Sequence, residues 1–231
     1  SDLITFMDSP FSSHMERYRL QDSNQENLMD PIDPLLKNVQ TKEKAFRELI
    51  TLYKKRLYWH IRKIVISHND ADDVLQNTFI KIFKNIDKFN QKSKLFSWMY
   101  RIATNEAITF INKRAKRHNI YINDYQKELT STLASDNFFT GNEIQLILQK
   151  AIATLPQKQQ LVFNMKYFDE LKYTEMSEIL ETSVGSLKAS YFHAVKKIEL
   201  FIKKKILSRS SSISLSNLAT PFLLFLRTSE S

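Results

Sequence analysis

Trp98, Arg101, Asn105, Thr109, Asn112 and Lys116 recur at helical spacing within LFSWMYRIATNEAITFINKRAKR, a run from Leu95 to Arg117 that holds neither Gly nor Pro. At about 100° per residue these six fall on one side of a helix. Together they supply an indole to stack on an unpaired base, carboxamides for base edges, and a guanidinium and an ammonium for phosphates. The opposite side carries Phe96, Met99, Tyr100, Ala103, Ala107, Phe110 and Ile111, the pattern of a face buried in a core. A competing reading is a solvated face with one half-buried Trp. Charge favours the first. Between residues 81 and 117, Lys81, Lys84, Lys88, Lys92, Lys94, Arg101, Lys113, Arg114, Lys116 and Arg117 stand against only Asp87 and Glu106, a local charge of +8 in a chain whose net charge is +9. Such a patch attracts a polyanion, and its aromatics suit accessible bases better than a membrane surface.

The element that positions these residues belongs to a chain of 231 residues with two glycines and five prolines. So few turn formers predict an all-α protein with no sheet, and the length allows one or two cores. The chain has no cysteine, which removes disulfides, thiolate metal sites and thiol nucleophiles and fits a reducing cytoplasm. His14, His60, His68, His118 and His193 are scattered without ligand spacing and are expected at surfaces or interfaces. No metal, cofactor or membrane span is expected, and no signal peptide is visible, so the chain is read as soluble and cytoplasmic. No nucleophile–base pair or phosphate loop appears, which argues against an enzyme.

Residues 1–40 are acidic and aperiodic and are read as a disordered N-terminal extension. Within it, Ser12-Ser13-His14-Met15 looks like a cloning remnant, with Met15 or Met29 as candidate starts. A helix is predicted from 41 to about 66 through Ala45, Phe46, Leu49, Ile50, Tyr53 and Leu57. A second is predicted from a cap at Asp70, with Leu75, Phe79, Ile82 and Ile86 inside. Its outer face shows Asp72, Asp73, Gln76, Ile80 and Phe83. Apolar side chains beside carboxylates suggest a protein-binding surface, or packing on the first helix. The polar stretch 88–94 is read as a loop into the central helix.

Residues 118–143 turn acidic and polar and are the predicted flexible linker. From 144 a second helical unit begins, with apolar stripes through Ile147, Leu148, Ala151, Ile152 and Leu155, then Leu161, Val162, Met165 and Tyr167. Thr174 is the expected cap of a short helix, and Glu181-Thr182-Ser183 connects it to another opened by Gly185 and Ser186. Two short helices joined this way have the form of a helix-turn-helix. The second would bury Leu187, Tyr191, Ala194, Ile198 and Phe201 and present Ser186, Lys188, Ala189, Phe192, His193 and Lys196. Seven basic residues against one acid between 188 and 209 support DNA as its target. The last segment, 208–231, is Ser-rich and then apolar, too short to cross a bilayer, and is left without a role.

Two motifs taken together carry a family resemblance. DADDVLQNTFIKIFKNIDKF with KLFSWMYRIATNEAITFINKRAKR resembles region two of bacterial RNA polymerase sigma factors, and LPQKQQLVFNMKYFDELKYTEMSEILETSVGSLKASYFHAVKKIE resembles region four. With only a linker between, the layout is similar to the extracytoplasmic-function (ECF) class. The resemblance implies two small helical domains, a region 2 bundle at 41–117 and a region 4 helix-turn-helix at 144–207. It also implies a function: binding core RNA polymerase, directing it to promoters and helping to melt the DNA. The implied partners are the β′ clamp helices and β flap of the polymerase, promoter DNA and, in some members of the class, an anti-sigma factor. Matched by position, Asp72, Asp73, Gln76, Phe79, Ile80 and Phe83 would meet the polymerase. Asn90, Lys92, Lys94, Trp98, Arg101, Asn105, Lys113, Arg114, Lys116 and Arg117 would read and melt the minus-ten element. Ser186, Lys188, Ala189, Phe192, His193 and Lys196 would read the minus-thirty-five element.

The chain departs from the family's usual GTVKSRLHRAR, reading GSLKASYFHAV, so Ser190 and His193 stand where arginines are usual. That loss shifts the expected reading toward thymine methyls and backbone phosphate, with one guanine contact left open. Two other functions stay open on the residues alone: a stand-alone helix-turn-helix regulator, and a helical adaptor that binds acidic protein or RNA.

Overall fold

The computed structural model describes residues 42–89, 94–119, 121, 124 and 143–207. The expected N-terminal extension, most of the 118–143 linker and the 208–231 tail lie outside the described residues. Those described form seven α-helices and one 3-10 turn, with no strand among them. The helices are α1 (Lys42–Val65), α2 (His68–Asn85), α3 (Leu95–Arg117), α4 (Glu143–Ala153), α5 (Gln157–Tyr167), α6 (Tyr173–Leu180) and α7 (Val184–Leu207), and the 3-10 turn is Ile86–Lys88. The chain divides into two compact units, one gathering α1, α2 and α3 with Thr174–Thr182, the other α4, α5 and α7.

In the first unit each of α1, α2 and α3 packs on the other two. Leu57, Ile61 and Val65 of α1, Ile82 of α2, and Met99, Tyr100, Ala103, Ala107 and Ile111 of α3 are fully buried. Each large aliphatic side chain so buried contributes roughly 1.5–3 kcal/mol. Ala103 and Ala107 offer no bulk, so neighbouring helices can approach α3 along the face predicted to be core.

This core also holds polar residues. His60 is buried and its Nε2 lies 2.9 Å from Thr104 Oγ1, while that hydroxyl donates to the Tyr100 carbonyl at 2.8 Å. A threonine hydroxyl has one proton, so Nε2 is the protonated ring nitrogen and donates to Oγ1. His60 therefore departs from the expected surface or interface position. Its spacing from Tyr53, Leu57, Ile61 and Ile64 puts it on the buried stripe of α1, a signal the periodicity contained.

Helix ends lack the usual glycine. Ile66, Asn119, Glu170 and Glu181 take positive φ values of 67°, 54°, 52° and 50°, after α1, α3, α5 and α6 respectively. A left-handed residue stops a helix, and here the stop is made without glycine's freedom. After Ile66 the chain re-enters a helix at once: Ser67 is extended (φ −84°, ψ 137°) and its Oγ accepts from Asp70 N at 3.4 Å. Ser67, rather than Asp70, is thus the cap of α2. Asp70 is spent elsewhere, pairing with Arg114 at 2.9 Å and so tying α2 to α3.

The second unit packs α7 on α4 and α5. Its core includes Leu148, Leu155, Val162, Phe163, Met165, Leu187, Tyr191, Ala194 and Ile198, with the Phe163 and Tyr191 rings stacked at 5.8 Å. Buried Gln160 is satisfied by donating Nε2–H to the Leu155 carbonyl at 2.9 Å. Helix α6 begins at Tyr173, so Thr174 lies inside its first turn and is not the cap. Helix α7 begins at Val184, where Ser183 Oγ accepts from Ser186 N at 3.3 Å.

Candidate nucleic-acid and partner-binding surfaces

Three exposed faces carry the sequence-selected residues. On α2, Asp73, Gln76, Ile80 and Phe83 are exposed and Asp72 and Phe79 half-exposed, one stripe at helical spacing. Ile80 is 51% accessible, unusual for so apolar a side chain on a helix with a well-filled inner face. Phe46 of α1 meets Phe83 at 4.9 Å and Phe79 edge-on at 6.3 Å. The phenylalanines lean on α1, as the packing alternative expects, and Phe83 keeps its outer surface open. Lys42 sits 5.1 Å from the Phe83 ring and pairs with Asp87 at 2.6 Å, closing one end of the stripe. At the other end Asp72 lies 3.9 Å from His68 Nδ1, which is hydrogen-bonded to the Tyr58 hydroxyl.

On α3 the two predicted faces separate. Asn105, Thr109, Asn112, Lys113, Lys116 and Arg117 are exposed, and Trp98 and Arg101 are half-buried. Trp98 packs on Phe89 with ring centroids 5.4 Å apart. Phe89 is itself buried, an apolar anchor in what the sequence presents as a polar loop. The indole thus combines a packed side with an accessible one. Not every cation is equally available. Arg114 is held by Asp70 and lies 5.1 Å from the Phe110 ring, and Lys81 pairs with Glu106. Arg101 Nη1 is 2.6 Å from Glu181, and Lys94 Nζ is 3.9 Å from Glu175, both acids from the Thr174–Thr182 segment of the same unit. Asn90 and Lys92 lie outside the described residues.

On α7, Gly185, Lys188, Ala189, Phe192, His193, Lys196 and Lys197 are exposed and Ser186 half-exposed, while Leu187, Tyr191, Ala194, Val195 and Ile198 are buried. The exposed set recurs at three- and four-residue steps, one continuous strip. Glu199 is buried, so from 184 to 200 no acidic side chain interrupts that strip. A Cβ built on Gly185 would meet nothing within 4 Å, which leaves the start of the helix open to close approach. Lys188 lies 5.7 Å from the Tyr173 ring, and Lys166 lies 5.1 Å from the same ring.

An all-α chain with an acidic-apolar stripe and a basic aromatic helix in one unit, and an exposed basic helix after a short turn in the other, has the parts of a promoter-recognition factor. The family model for Sigma-70 region 2 matches residues 49–117, and that for Sigma-70, region 4 matches residues 145–198. The chain is 30% identical over 154 residues to the ECF RNA polymerase sigma factor SigW of Bacillus subtilis, covering 62% of this chain and 81% of that protein. It is 28% identical over 168 residues to the ECF RNA polymerase sigma-E factor of Haemophilus influenzae, covering 69% and 88%. Among solved structures, the sigma factor RpoE from Bartonella quintana, determined in complex with the anti-sigma factor NepR, shares the fold with a TM-score of 0.54 at 18% identity, covering 69% of this chain and 98% of that one. The chain belongs to the ECF RNA polymerase sigma factors.

Proposed function

We propose that this chain does the work of its family through the three faces described above. It is a sigma factor: it binds core RNA polymerase, directs it to particular promoters and takes part in opening the DNA. Sigma factors are not enzymes, and in our reading this chain has no chemistry of its own, the polymerase supplying catalysis in the cytoplasm. Among the described residues no helix is long and apolar enough to cross a membrane. The observation that carries the reading is the occurrence of both family regions in order, each presenting an exposed face suited to its task.

The α2 stripe from Asp72 to Phe83 is the proposed polymerase contact, where carboxylates give steering and Ile80 and Phe83 give apolar area. The α3 face from Trp98 to Arg117 is the proposed minus-ten surface. Opening follows from differential binding: unpaired bases can stack on Trp98 and meet Asn105, contacts that a duplex cannot make, so the melted state is favoured. The α7 strip is the proposed minus-thirty-five reader.

Reconstitution with core polymerase tests this. The wild-type chain should associate with core enzyme and support transcription from a selected promoter. Asp72→Lys with Asp73→Lys should weaken that association at least tenfold, because both side chains are solvated and their reversal leaves the fold intact. Unchanged association with core enzyme, alongside an unchanged far-ultraviolet circular-dichroism melt, would remove α2 from the interface.

A further inference from the structure

We propose that the second unit reads thymine methyl groups, using Phe192 and Ala189 as an apolar reading head, in place of the hydrogen-bonding forks by which recognition helices usually select guanine or adenine. This deepens the proposed reading of the minus-thirty-five element and rests on it. The first observation is compositional: α7 contains no Arg, Asn or Gln anywhere between Val184 and Leu207. Arg, the usual fork for guanine, and Asn and Gln, the usual forks for adenine, are all missing from the helix, which leaves the exposed lysines as its only side chains able to pair bidentately with guanine. What the exposed strip offers instead is apolar. Ala189 is exposed, and Phe192, one helical turn on, is 42% accessible. Residues three apart on a helix are neighbours, so the two form one patch.

The second observation is that this patch is framed and held. Lys196 Nζ lies 4.3 Å from the Phe192 ring centroid, and the His193 ring meets Phe192 edge-on at 5.7 Å. A cation over one face and a ring at the edge restrict where the phenyl group points, leaving its remaining edge toward solvent. Lys188 and Lys197 flank the patch, and the strip carries no carboxylate, so the ring sits in a field that draws in phosphate backbone. The thymine C5-methyl is the apolar feature that the major groove displays, and Phe and Ala are side chains that contact it. Lys196 is then a positioning residue as well as a phosphate ligand.

The test uses the holoenzyme formed from the full chain and core polymerase, with a promoter enriched by that holoenzyme from a randomised duplex pool. Each thymine of the upstream element is replaced in turn by deoxyuridine, which keeps base pairing and removes only the methyl. At one or two positions the wild-type holoenzyme should lose about fourfold in affinity, the value of one buried methyl. Phe192→Ala should bind the thymine and deoxyuridine promoters equally at those positions, and Phe192→Leu should restore part of the difference. Lys196→Ala should lower affinity for both promoters and also narrow the difference between them, which loss of a phosphate contact alone would not do.

Phe192 is exposed, so these variants should keep the wild-type thermal melt. A wild-type holoenzyme that initiates transcription yet tolerates deoxyuridine throughout the upstream element overturns the proposal while leaving the sigma-factor reading standing. Loss of core association in Phe192→Ala would overturn it too, assigning the patch to a protein partner. Failure of the wild-type chain to join core enzyme would sink the reading and this proposal together.

Discussion

Trp98 is packed on one side and accessible on the other. Its ring leans on Phe89, yet it keeps accessible surface on the face shared with Arg101 and Asn105. Replacing it should therefore move two measurements by different amounts. Trp98→Ala should slow open-complex formation by about five- to 150-fold, since stacking of one base is worth about 1–3 kcal/mol. The same change should lower conformational stability by about 2–3 kcal/mol, the aromatic pair together with the packed part of the indole. Phe89→Leu serves as the control, because it loses the ring pair, fills most of the buried space and keeps the indole. If the two variants are equally slow in promoter opening, Trp98 acts only as packing. At this scale the sequence was informative wherever periodicity decided. It puts Phe96, Met99, Tyr100, Ala103, Ala107, Phe110 and Ile111 inside, and all are buried except Phe110, which lies at the edge of the face and is half-exposed. It did not reveal that Arg114 is engaged by Asp70, because those residues are 44 positions apart and meet only once α2 and α3 have packed.

At the scale of the element, helix bounds follow from how strongly each end is signalled. Helix α1 was expected from 41 to about 66 and runs Lys42–Val65, since one apolar stripe crosses its whole length. The cap of α2 lies three residues before the expected Asp70, because Ser67 and Asp70 are both short polar side chains able to cap, and local sequence does not show which carboxylate a distant arginine will claim. Of the four left-handed ends at non-glycine residues, Asn119 has a residue type that favours the conformation, while Ile66, Glu170 and Glu181 carry no such signature. Gly185 presents the opposite case, a glycine within a helix at a place where space does not require one. Gly185→Ala should raise stability by about 0.5–1 kcal/mol, because alanine gives up less backbone freedom on folding. It should also weaken promoter binding several-fold, because the new methyl would stand between the start of α7 and the DNA. A variant that gains in thermal melting and binds as well as wild type would show that the DNA does not approach the helix start.

Across the whole molecule, charge separates the tasks. Local charge reaches +8 over 81–117 and +6 over 188–209, while the stretch between them that contains 118–143 is acidic. Binding should accordingly be steep in salt, and it should be graded by the number of phosphate contacts. Lys113→Ala and Lys116→Ala should each reduce the salt slope of promoter binding by about 0.7–0.9, with the two changes adding. A slope unaffected by both would place the end of α3 away from the backbone. The two-domain, all-α plan was legible from the scarcity of glycine and the paired motifs, because composition and periodicity are local quantities. That Thr174–Thr182 groups in space with α1–α3 was not legible, since no local quantity records it.

The absence of arginine from α7 has a consequence beyond base choice. Every positive charge on that helix, at Lys188, Lys196, Lys197, Lys203, Lys204 and Lys205, is a primary amine. A guanidinium resists acylation under mild conditions, whereas an amine that is acetylated loses its charge and its ring-facing cation in one step. In the proposed reading, the electrostatic hold of this helix on DNA is thus covalently erasable one site at a time, and acetylation at Lys196 would remove the cation that frames Phe192 while leaving the phenyl group in place.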